Sequence, residues 1–364
     1  MNIPTLNRTS IRKIVFTSDI FRIDDRVPQH NLSPQRINIE WVSRLFSPIL
    51  ENLLSLPSKL LTGEEPGNLL YRISAFRKLG VELSSDSWAS YYGGLGNEEV
   101  ETAIAQELYD SLVIGFEMPP YMIDVLSRKG IPYIDLANHP VRFLPDYMFG
   151  VRSNVTDIAT RLRATSVPEK TFYDFARISA ARTVRIMRGK RPDFNSALFL
   201  GQIEVDSSLV QDGRVVGQTN LQDALIALRG VYNKVYYKFH PHREDKISVM
   251  ETLKGVGGCE VIEINVYDAL ACDEFDLVAA FSSGALHEAR YFGKKTKRIL
   301  TSGDLFYSES KEELGSENYI AAPRNIFDID YWRYILGDTE EIDIRIPDFT
   351  ENAHRYSLNM RWGR

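Results

Sequence analysis

Cysteine is scarce in this chain of 364 residues, and long apolar runs are absent. Cys259 and Cys272 are the only cysteines. They are too few for a disulfide framework or a zinc cluster, and such low usage is typical of a reducing compartment. No apolar run approaches the roughly 18 residues that a membrane span needs, and the first residues lead to a predicted strand without the apolar core of a signal peptide. The sequence therefore predicts a cytoplasmic protein.

Several catalytic motifs are absent as well. The chain has no Walker P-loop, no GxGxxG after its first predicted strand, no nucleophile elbow and no HExxH. The usual signals of nucleotide hydrolases, dehydrogenases, α/β-hydrolases and zinc proteases are thus missing. The post-strand Asp-x-Asp of metal-dependent sugar transferases is also missing. A net charge of −6 gives no general attraction for a phosphate polymer, so nucleic acid is not an expected partner.

Short β-branched runs alternate with longer segments of helical periodicity, which is typical of an α/β protein with parallel sheets. The first half contains three predicted strands, at residues 14–17, 112–115 and 131–136. The second half contains five, more regularly spaced, at residues 197–200, 235–239, 261–264, 277–281 and 298–300. The sequence therefore predicts two Rossmann-like domains that face one another across a cleft.

The predicted boundary between these domains is the break in helical pattern at Gly189 and Pro192. The N-terminal domain then comprises residues 1–190 and the C-terminal domain residues 191–340. A helical segment, residues 341–364, is expected to pack back on the N-terminal domain. Ligands of open α/β sheets bind at the carboxyl ends of the strands, so functional residues are expected in the loops that follow them.

The predicted strand at 235–239 leads into the sequence KFHPH, which contains Lys238, His240 and Pro241. Proline fixes φ, and an imidazole in front of it at a helix start is well placed to bind a phosphate. The alternative is an ordinary His-Pro surface turn. The position after a parallel strand favours ligand contact, but spacing alone leaves both interpretations open.

The predicted strand at 277–281 is followed by Ser282, Ser283 and Gly284 at the start of a helix. Two hydroxyls, exposed backbone N–H groups and the positive end of a helix dipole together bind an anion. Serine is also a very common N-cap residue, so a plain cap is the alternative. Glu288, one turn further on, is a candidate for binding a ribose diol or for complementing the dipole as a solvated carboxylate.

Two further loops offer carboxylates. The first contains Gln202, Glu204 and Asp206, which could supply a nucleophile or a base. The alternation of its two acids fits the polar side of a strand equally well. Glu117 follows a predicted strand in the first half, where a flanking glycine and prolines bend the chain so that the carboxylate would face the cleft.

KFHPH after one strand and FSSGALHEARYFGKK after a later one together resemble the bacterial capsule and lipopolysaccharide glycosyltransferases of GT-B fold that use CMP-activated sugars. Within that group the chain looks most like the retaining β-Kdo transferases. The N-terminal half is similar through SDIFR at residues 18–22 and GFEMPP at residues 115–120. The resemblance implies a GT-B fold, with the acceptor on the N-terminal domain and the CMP-sugar on the C-terminal domain.

The resemblance also implies roles for individual residues. His240 with Pro241 matches a pair that holds the CMP phosphate in the family. Ser282 with Ser283 matches the second element of that phosphate site. Asp206 matches the family's catalytic aspartate, which implies a nucleophile that forms a covalent sugar adduct.

Glu117 matches an N-terminal glutamate implicated in the family's catalysis, where it would assist the acceptor hydroxyl as a base. The remaining expected donor contacts are Gln202, Lys238, Gly284 and Glu288. No metal or other cofactor is expected, because imidazole and hydroxyl donors can neutralise the leaving phosphate.

The implied function is transfer of Kdo from CMP-β-Kdo to a lipid-linked saccharide acceptor in lipopolysaccharide O-antigen or capsule synthesis. Peripheral contact with the inner membrane or with assembly enzymes is also expected. A Kdo donor carries its own carboxylate, which basic residues on the helix before the domain boundary could neutralise. The candidates are Arg182, Arg185, Arg188 and Lys190. The alternative is that these residues form a solvated face of the helix. Two alternatives stay open: an inverting CMP-sialic or nonulosonic acid transferase that uses a general base, and a noncatalytic GT-B module that binds glycan or another assembly enzyme.

Overall fold

The structure of the chain is a computed structural model, which describes residues 3–25, 34–144, 146–186, 191–203, 206–243, 245–301, 305–306 and 318–346. These residues form two mainly parallel sheets with helices on their faces, and a separate two-stranded hairpin. The predicted α/β class is therefore confirmed.

The strands of the described chain are β1 (Lys13–Thr17), β2 (Ser58–Leu61), β3 (Ser111–Phe116), β4 (Tyr133–Asn138), β5 (Phe149–Ser153), β6 (Ser196–Leu200), β7 (Val210–Gln211), β8 (Arg214–Val215), β9 (Lys234–Lys238), β10 (Cys259–Val261), β11 (Phe275–Ala280), β12 (Lys295–Arg298) and β13 (Ile320–Ala321). Its α-helices are α1 (Pro34–Leu54), α2 (Arg72–Leu79), α3 (Ser85–Tyr91), α4 (Glu98–Leu108), α5 (Pro120–Arg128), α6 (Thr156–Ala164), α7 (Glu169–Ile186), α8 (Gln218–Arg229), α9 (Ile247–Val256), α10 (Val266–Leu270), α11 (Ala285–Tyr291) and α12 (Ile329–Leu336).

The first sheet has the strand order β13-β5-β4-β3-β1-β2. Its strands β2, β1, β3 and β4 run parallel, whereas β5 and β13 are antiparallel to their neighbours. Successive side chains of a strand point to opposite faces, so Ile14 and Phe16 enter one core and Val15 enters the other. Helices α1 and α12 cover the first of these cores, where the rings of Phe46 and Trp332 pack edge to face.

The second sheet has the order β10-β9-β6-β11-β12 and is parallel throughout. Two of its strands lie earlier in the chain than the sequence indicates, because β10 ends at Val261 and β12 ends at Arg298. Both are edge strands without a fully buried residue; β10 has only three residues and β12 is polar and mostly exposed, so neither gives a strong apolar signal. The apolar residues that suggested strands pack into the cores from the following loops; they are Ile262, Ile264, Ile299 and Leu300.

The chain returns to the first sheet earlier than expected. Residues 320–336, assigned from the sequence to the C-terminal domain, contain β13 and α12, and the α12 side chains Trp332 and Ile335 are buried in a core of the first sheet. Apolar periodicity identifies such a helix but does not specify which sheet it covers. Of the expected helical segment 341–364, residues 347–364 lie outside the described chain. No described helix is long and apolar enough to cross a membrane.

Candidate active site

Loops at the carboxyl ends of both sheets contact each other. Pro140, after β4, lies so close to the loop after β11 that a Cβ on Gly284 would be 3.0 Å from the Pro140 Cβ. The backbone N–H of Arg142 donates to the Glu288 carboxylate of α11 at 2.7 Å. The two sheets therefore meet at the edges where ligands of open α/β sheets bind.

Glu117 follows β3 and has an unusual backbone conformation. Its φ is +50°, a left-handed value that is uncommon for a non-glycine residue and is often found at functional sites. Its backbone N–H donates to the Leu136 carbonyl at 2.7 Å. The next backbone N–H, of Met118, donates to the Asp135 carboxylate at 3.1 Å. These two bonds to β4 hold the strained residue in place.

A buried ionic network supports this loop, and nothing in the sequence indicated it. The Asp135 carboxylate pairs with the Arg152 guanidinium at 2.8 Å and accepts a hydrogen bond from the Tyr319 hydroxyl at 2.6 Å. The Arg152 guanidinium also lies 4.3 Å from the centroid of the Tyr319 ring. Gly115 leaves room for the arrangement, since a Cβ there would be 2.7 Å from an Asp135 carboxylate oxygen. The network thereby fixes the loop that carries Glu117.

The negative charge of Asp206, which follows β6 of the second sheet, acts on Glu117. Burial and then the negative charge of Asp206 raise the pKa of Glu117 to about 7, although Arg22 and a hydrogen bond from the Asn138 backbone oppose the shift. Two carboxylates that face one cleft can divide the roles of nucleophile and acid or base. Asp206 and Glu117 therefore form a carboxylate pair that draws one member from each sheet.

Asp206 lies in the loop after β6, at the start of the 3-10 turn Ser207–Leu209. Its Oδ1 accepts a hydrogen bond from the Ser208 backbone N–H at 2.9 Å, which orients the carboxylate. The side chain remains partly exposed. Glu204 of the same loop lies outside the described residues. Among the residues that the structure describes, no group of three His, Cys, Asp or Glu side chains is placed to hold a metal ion.

Three further residues surround the carboxylate pair without having been assigned a role from sequence. Asp19 is buried, which raises its pKa, and its carboxylate accepts a hydrogen bond from the Trp88 indole at 2.8 Å. Arg22 lies over the Trp88 ring. Burial raises the pKa of Asp19, Glu117 and Tyr92, and the positive charge of Arg22 opposes each rise. Asp19 and Arg22 fall within SDIFR, whereas no motif marked Tyr92.

Gln202 connects three loops of the second sheet. Its side-chain oxygen accepts a hydrogen bond from the Ser282 backbone N–H at 2.9 Å, and its Nε2 donates to the hydroxyls of Ser282 and Ser208 at 3.1 and 3.3 Å. Its backbone carbonyl accepts a hydrogen bond from the Arg243 guanidinium at 2.9 Å. The loops after β6, β9 and β11, which carry Asp206 and the two recognised motifs, are therefore tied together.

His240 and Lys238 lie at the end of β9. The Nδ1 of His240 accepts a hydrogen bond from the His242 backbone N–H at 3.2 Å, so the neutral ring carries its proton on Nε2. The ring is partly exposed, with Pro241 directly after it. Lys238 is partly buried, and this burial lowers the pKa of its ammonium. An N–H donor and a cation at the end of one strand suit an anionic ligand.

Ser283 and Gly284 lie directly before α11. The Ser283 hydroxyl accepts a hydrogen bond from the Ala285 backbone N–H at 3.3 Å. This geometry also fits the alternative interpretation, in which the serine only caps the helix. Helix α11 has only seven residues, and its dipole is correspondingly small. The donors that this loop offers are therefore its hydroxyls and backbone N–H groups.

Glu288 lies at the contact between the two sheets and is only 3% exposed. One carboxylate oxygen accepts hydrogen bonds from the Arg142 backbone N–H and from the Tyr267 hydroxyl, the latter at 3.2 Å. Burial raises the pKa of Glu288 to about 7. The described contacts of this carboxylate thus join the sheets.

The basic face of α7 is only partly described. Arg182 pairs with Asp268 at 3.9 Å, while Arg188, Lys190 and the side chain of Arg185 lie outside the described residues. The positive charge that opposes the rise in the pKa of Glu117 comes from Arg22, which is not on α7.

A pocket of about 180 Å³ lies under the loops of the second sheet. Its lining combines aromatic and aliphatic side chains with polar ones, which include Gln202, Arg243, Asp245 and Ser248. It is smaller than the roughly 300–1,000 Å³ typical of ligand pockets, and Asp206, Glu117 and His240 do not line it. We therefore place the candidate active site at the carboxylate pair.

No family model matches the chain, and no curated protein matches it. Among solved structures, the Thermosulfurimonas dismutans KpsC beta Kdo 2,7 transferase is similar with a TM-score of 0.40 and 13% identity, covering 88% of this chain and 99% of that one. The beta Kdo 2,4 transferase of the same KpsC is similar with a TM-score of 0.33 and 16% identity, covering 70% of this chain and 76% of that one. These scores and identities are low, so neither likeness assigns a fold or an activity to the chain.

Proposed function

We propose that the protein is a retaining glycosyltransferase of GT-B fold that moves Kdo from CMP-β-Kdo to a saccharide acceptor in lipopolysaccharide O-antigen or capsule synthesis. The observation that carries the proposal is that Glu117 and Asp206 follow strands of two different sheets, whose post-strand loops meet through Pro140 and Glu288. The motifs KFHPH and FSSGALHEARYFGKK support a CMP-sugar donor. They follow β9 and β11, in loops that Gln202 ties to the loop of Asp206.

The phosphate of the donor is assigned to the loops after β9 and β11. As the bond to the sugar breaks, negative charge develops on the nucleotide and oxocarbenium-like positive charge develops on the sugar. The His240 ring, the Lys238 ammonium and the Ser283 hydroxyl stabilise the negative end. Asp206 stabilises the positive end. Side-chain and backbone donors take the role that a metal ion has in other transferases.

The transfer proceeds in two displacements. The Asp206 carboxylate attacks the anomeric carbon, and the bond from that carbon to the phosphate oxygen breaks with its electron pair leaving on CMP. An acceptor hydroxyl then attacks the same carbon, Glu117 takes the hydroxyl proton, and the Asp206 carboxylate departs. Two inversions retain the anomeric configuration. A pKa of about 7 keeps Glu117 available as a base near neutral pH.

The carboxylate of the donor sugar needs a cation close to the reacting carbon. Arg22 meets this need, because its charge acts on Glu117 and on Asp19 at the same sheet edge. The acceptor, a lipid-linked saccharide, approaches from the side of the first sheet. The protein would meet it in the cytoplasm, at the inner-membrane surface or beside assembly enzymes.

We expect CMP to raise the melting temperature of the protein in the presence of EDTA as much as in its absence. A ligand that binds only the folded state stabilises it by mass action, and the phosphate donors here are side chains and backbone groups. Thermal unfolding with CMP, UMP, UDP and GDP measures this. A shift that EDTA abolishes, or a larger shift with UDP or GDP than with CMP, would contradict the proposed donor class.

His240→Ala should lower CMP release from CMP-β-Kdo by roughly 10², because the variant lacks one donor to the leaving phosphate. The rate of CMP release by wild type and variant under saturating donor measures the loss. The melting temperature without ligand serves as the control for folding. A variant with wild-type turnover would assign the His-Pro pair to a structural turn.

A further inference from the structure

The Asp135 carboxylate, which is buried beside the Glu117 loop, uses its two oxygens for different tasks. Its Oδ2 accepts hydrogen bonds from the Arg152 guanidinium, from Nε at 3.0 Å and from Nη2 at 2.8 Å, and from the Tyr319 hydroxyl at 2.6 Å. Its Oδ1 accepts a hydrogen bond from the Met118 backbone N–H at 3.1 Å. A carboxylate is planar, so the three donors on Oδ2 also set the direction in which Oδ1 points. Arg152 and Tyr319 thereby aim Oδ1 at the Met118 N–H.

Both backbone groups of Met118, the residue after Glu117, are bonded to this ion pair. The N–H donates to Asp135, and the carbonyl accepts a longer hydrogen bond from the Arg152 Nη2 at 3.4 Å. On the other side, the Glu117 N–H donates to the Leu136 carbonyl at 2.7 Å. The left-handed φ of +50° at Glu117 costs energy for a residue with a side chain and persists only where its surroundings hold it. The ion pair therefore holds one end of the strained residue.

The network is closed to solvent and leaves little room for rearrangement. Asp135 is fully buried, and Arg152 and Tyr319 are only 6% and 3% exposed. Water therefore does not readily replace a donor that the carboxylate loses. A Cβ on Gly115 would be 2.5 Å from the Met118 Cγ, so the Met118 side chain packs directly on the strand backbone. Loss of one donor should consequently reorient the carboxylate.

Tyr319 also packs, through Phe306, on a helix of the second sheet. The Phe306 and Tyr319 rings are stacked, with their centroids 5.2 Å apart. A Cβ on Gly150 of β5 would be 2.9 Å from the Phe306 Cε1, so this ring lies directly on the backbone of the first sheet. The Phe306 ring is also 5.9 Å from the His287 ring of α11. Phe306 therefore joins Tyr319 to the helix that follows the loop after β11.

We infer that Tyr319 and Arg152 are positioning residues for Glu117, and that Phe306 fixes them relative to α11. They act through the Asp135 carboxylate and not on the substrate. The Glu117 loop and the loop after β11 are thereby held in one frame, although they belong to different sheets. The catalytic consequence of this arrangement rests on the proposed function, whereas the positioning itself does not.

Hydrogen–deuterium exchange of the full chain without substrate tests the positioning. The two prolines that follow Met118 have no amide, so a short peptide that ends in them reports on Glu117 and Met118 with few other amides. Tyr319→Phe keeps the stacked ring and removes only the hydroxyl. Its Met118 amide should exchange about tenfold faster than in wild type, on the scale of one lost hydrogen bond. In Phe306→Leu the amides of Met118 and His287 should both exchange faster, because the contact between the sheets is lost.

Tyr331→Phe is the matched control, since it removes another buried tyrosine hydroxyl, whose oxygen lies 3.5 Å from the Thr165 hydroxyl in α12's core. Its Met118 amide should exchange as in wild type. An unchanged Met118 amide in Tyr319→Phe would overturn the inference. If Tyr319→Phe does not fold, Arg152→Lys decides the matter by the same measurement, because lysine lacks the planar fork that holds the carboxylate.

Activity distinguishes positioning from general damage to the fold. Tyr319→Phe should slow transfer to the acceptor by about tenfold, whereas CMP release in a first turnover without acceptor and the CMP-dependent thermal shift should match wild type. Equal slowing of both steps would reject a role through Glu117. An unchanged His287 amide in Phe306→Leu would reject the link to α11. Faster Met118 exchange in a protein that does not turn over CMP-β-Kdo would sustain the positioning and reject the proposed function.

Discussion

Asp206→Asn should reduce CMP release from CMP-β-Kdo by roughly 10⁴, on the scale of removing a nucleophile or its partner from a catalytic unit, while CMP still stabilises the protein. Asparagine keeps the size of the side chain and its capacity to accept the Ser208 N–H bond, but it cannot attack the anomeric carbon as a carboxylate does. The loss therefore falls on the first displacement. Steady-state CMP release and CMP-dependent thermal shifts separate turnover from binding.

Asp212→Asn provides the matched control for this experiment. Asp212 lies in the turn between β7 and β8, six residues after Asp206; it is exposed and has a left-handed backbone that asparagine also tolerates. The change removes the same formal charge from the same segment without touching the carboxylate pair. Wild-type turnover is expected in this variant. An active Asp206→Asn enzyme would refute the covalent mechanism.

Glu117→Gln should lower steady-state transfer by about 10²–10⁴, the range of general acid–base catalysis, and should change which step limits the rate. The first displacement expels a phosphate that needs little protonation, so it should continue. The second displacement lacks its base, so the sugar adduct should accumulate. Rapid mixing with donor should then show a burst of about one CMP per enzyme followed by a slow phase. Equal slowing of both phases would reject the assignment of Glu117 as the base for the acceptor.

The pH dependence of both activity and stability follows from the same carboxylate. As a base, Glu117 works in its deprotonated form, so the transfer rate should fall as pH drops below about 7. Because its folded-state pKa is raised from 4.5, the folded protein binds the proton more tightly than the unfolded chain. The free energy of unfolding therefore declines as pH rises between these two values. Glu117→Gln removes that decline, so a less active variant should be more stable than wild type at pH 8.

The strands and their following loops could be predicted because buried parallel strands are short, apolar and followed by function-bearing turns. This is why the loops that contain Asp206, His240 and Ser283 could be selected from the local sequence. Strand boundaries were less accurate at the edges of the second sheet, where β10 has only three residues and β12 consists of polar ones. The packing of α12 on the first sheet could not be predicted either, since periodicity does not identify the surface that a helix covers.

The partners of the carboxylate pair could not be predicted because they come from distant parts of the chain. Arg22 and Tyr92 approach Glu117 only after β1, α3 and β3 have assembled. The Asp135–Arg152 pair is likewise a product of tertiary packing, and a charged residue within an apolar strand gives no indication of its partner. Local sequence therefore predicted which loops follow buried strands, and only the folded structure shows which charged groups surround them.

The most direct test of the proposed mechanism is the intact mass of the wild-type protein after mixing with CMP-β-Kdo in the absence of acceptor. The mechanism predicts a species heavier by one Kdo residue, which proteolysis locates on the peptide that contains Asp206 and which is absent from Asp206→Asn. The same adduct should be more abundant in Glu117→Gln. The account would be contradicted if wild type and Glu117→Gln both released CMP while neither protein gained mass. The sugar would then be displaced directly from the donor without a covalent intermediate.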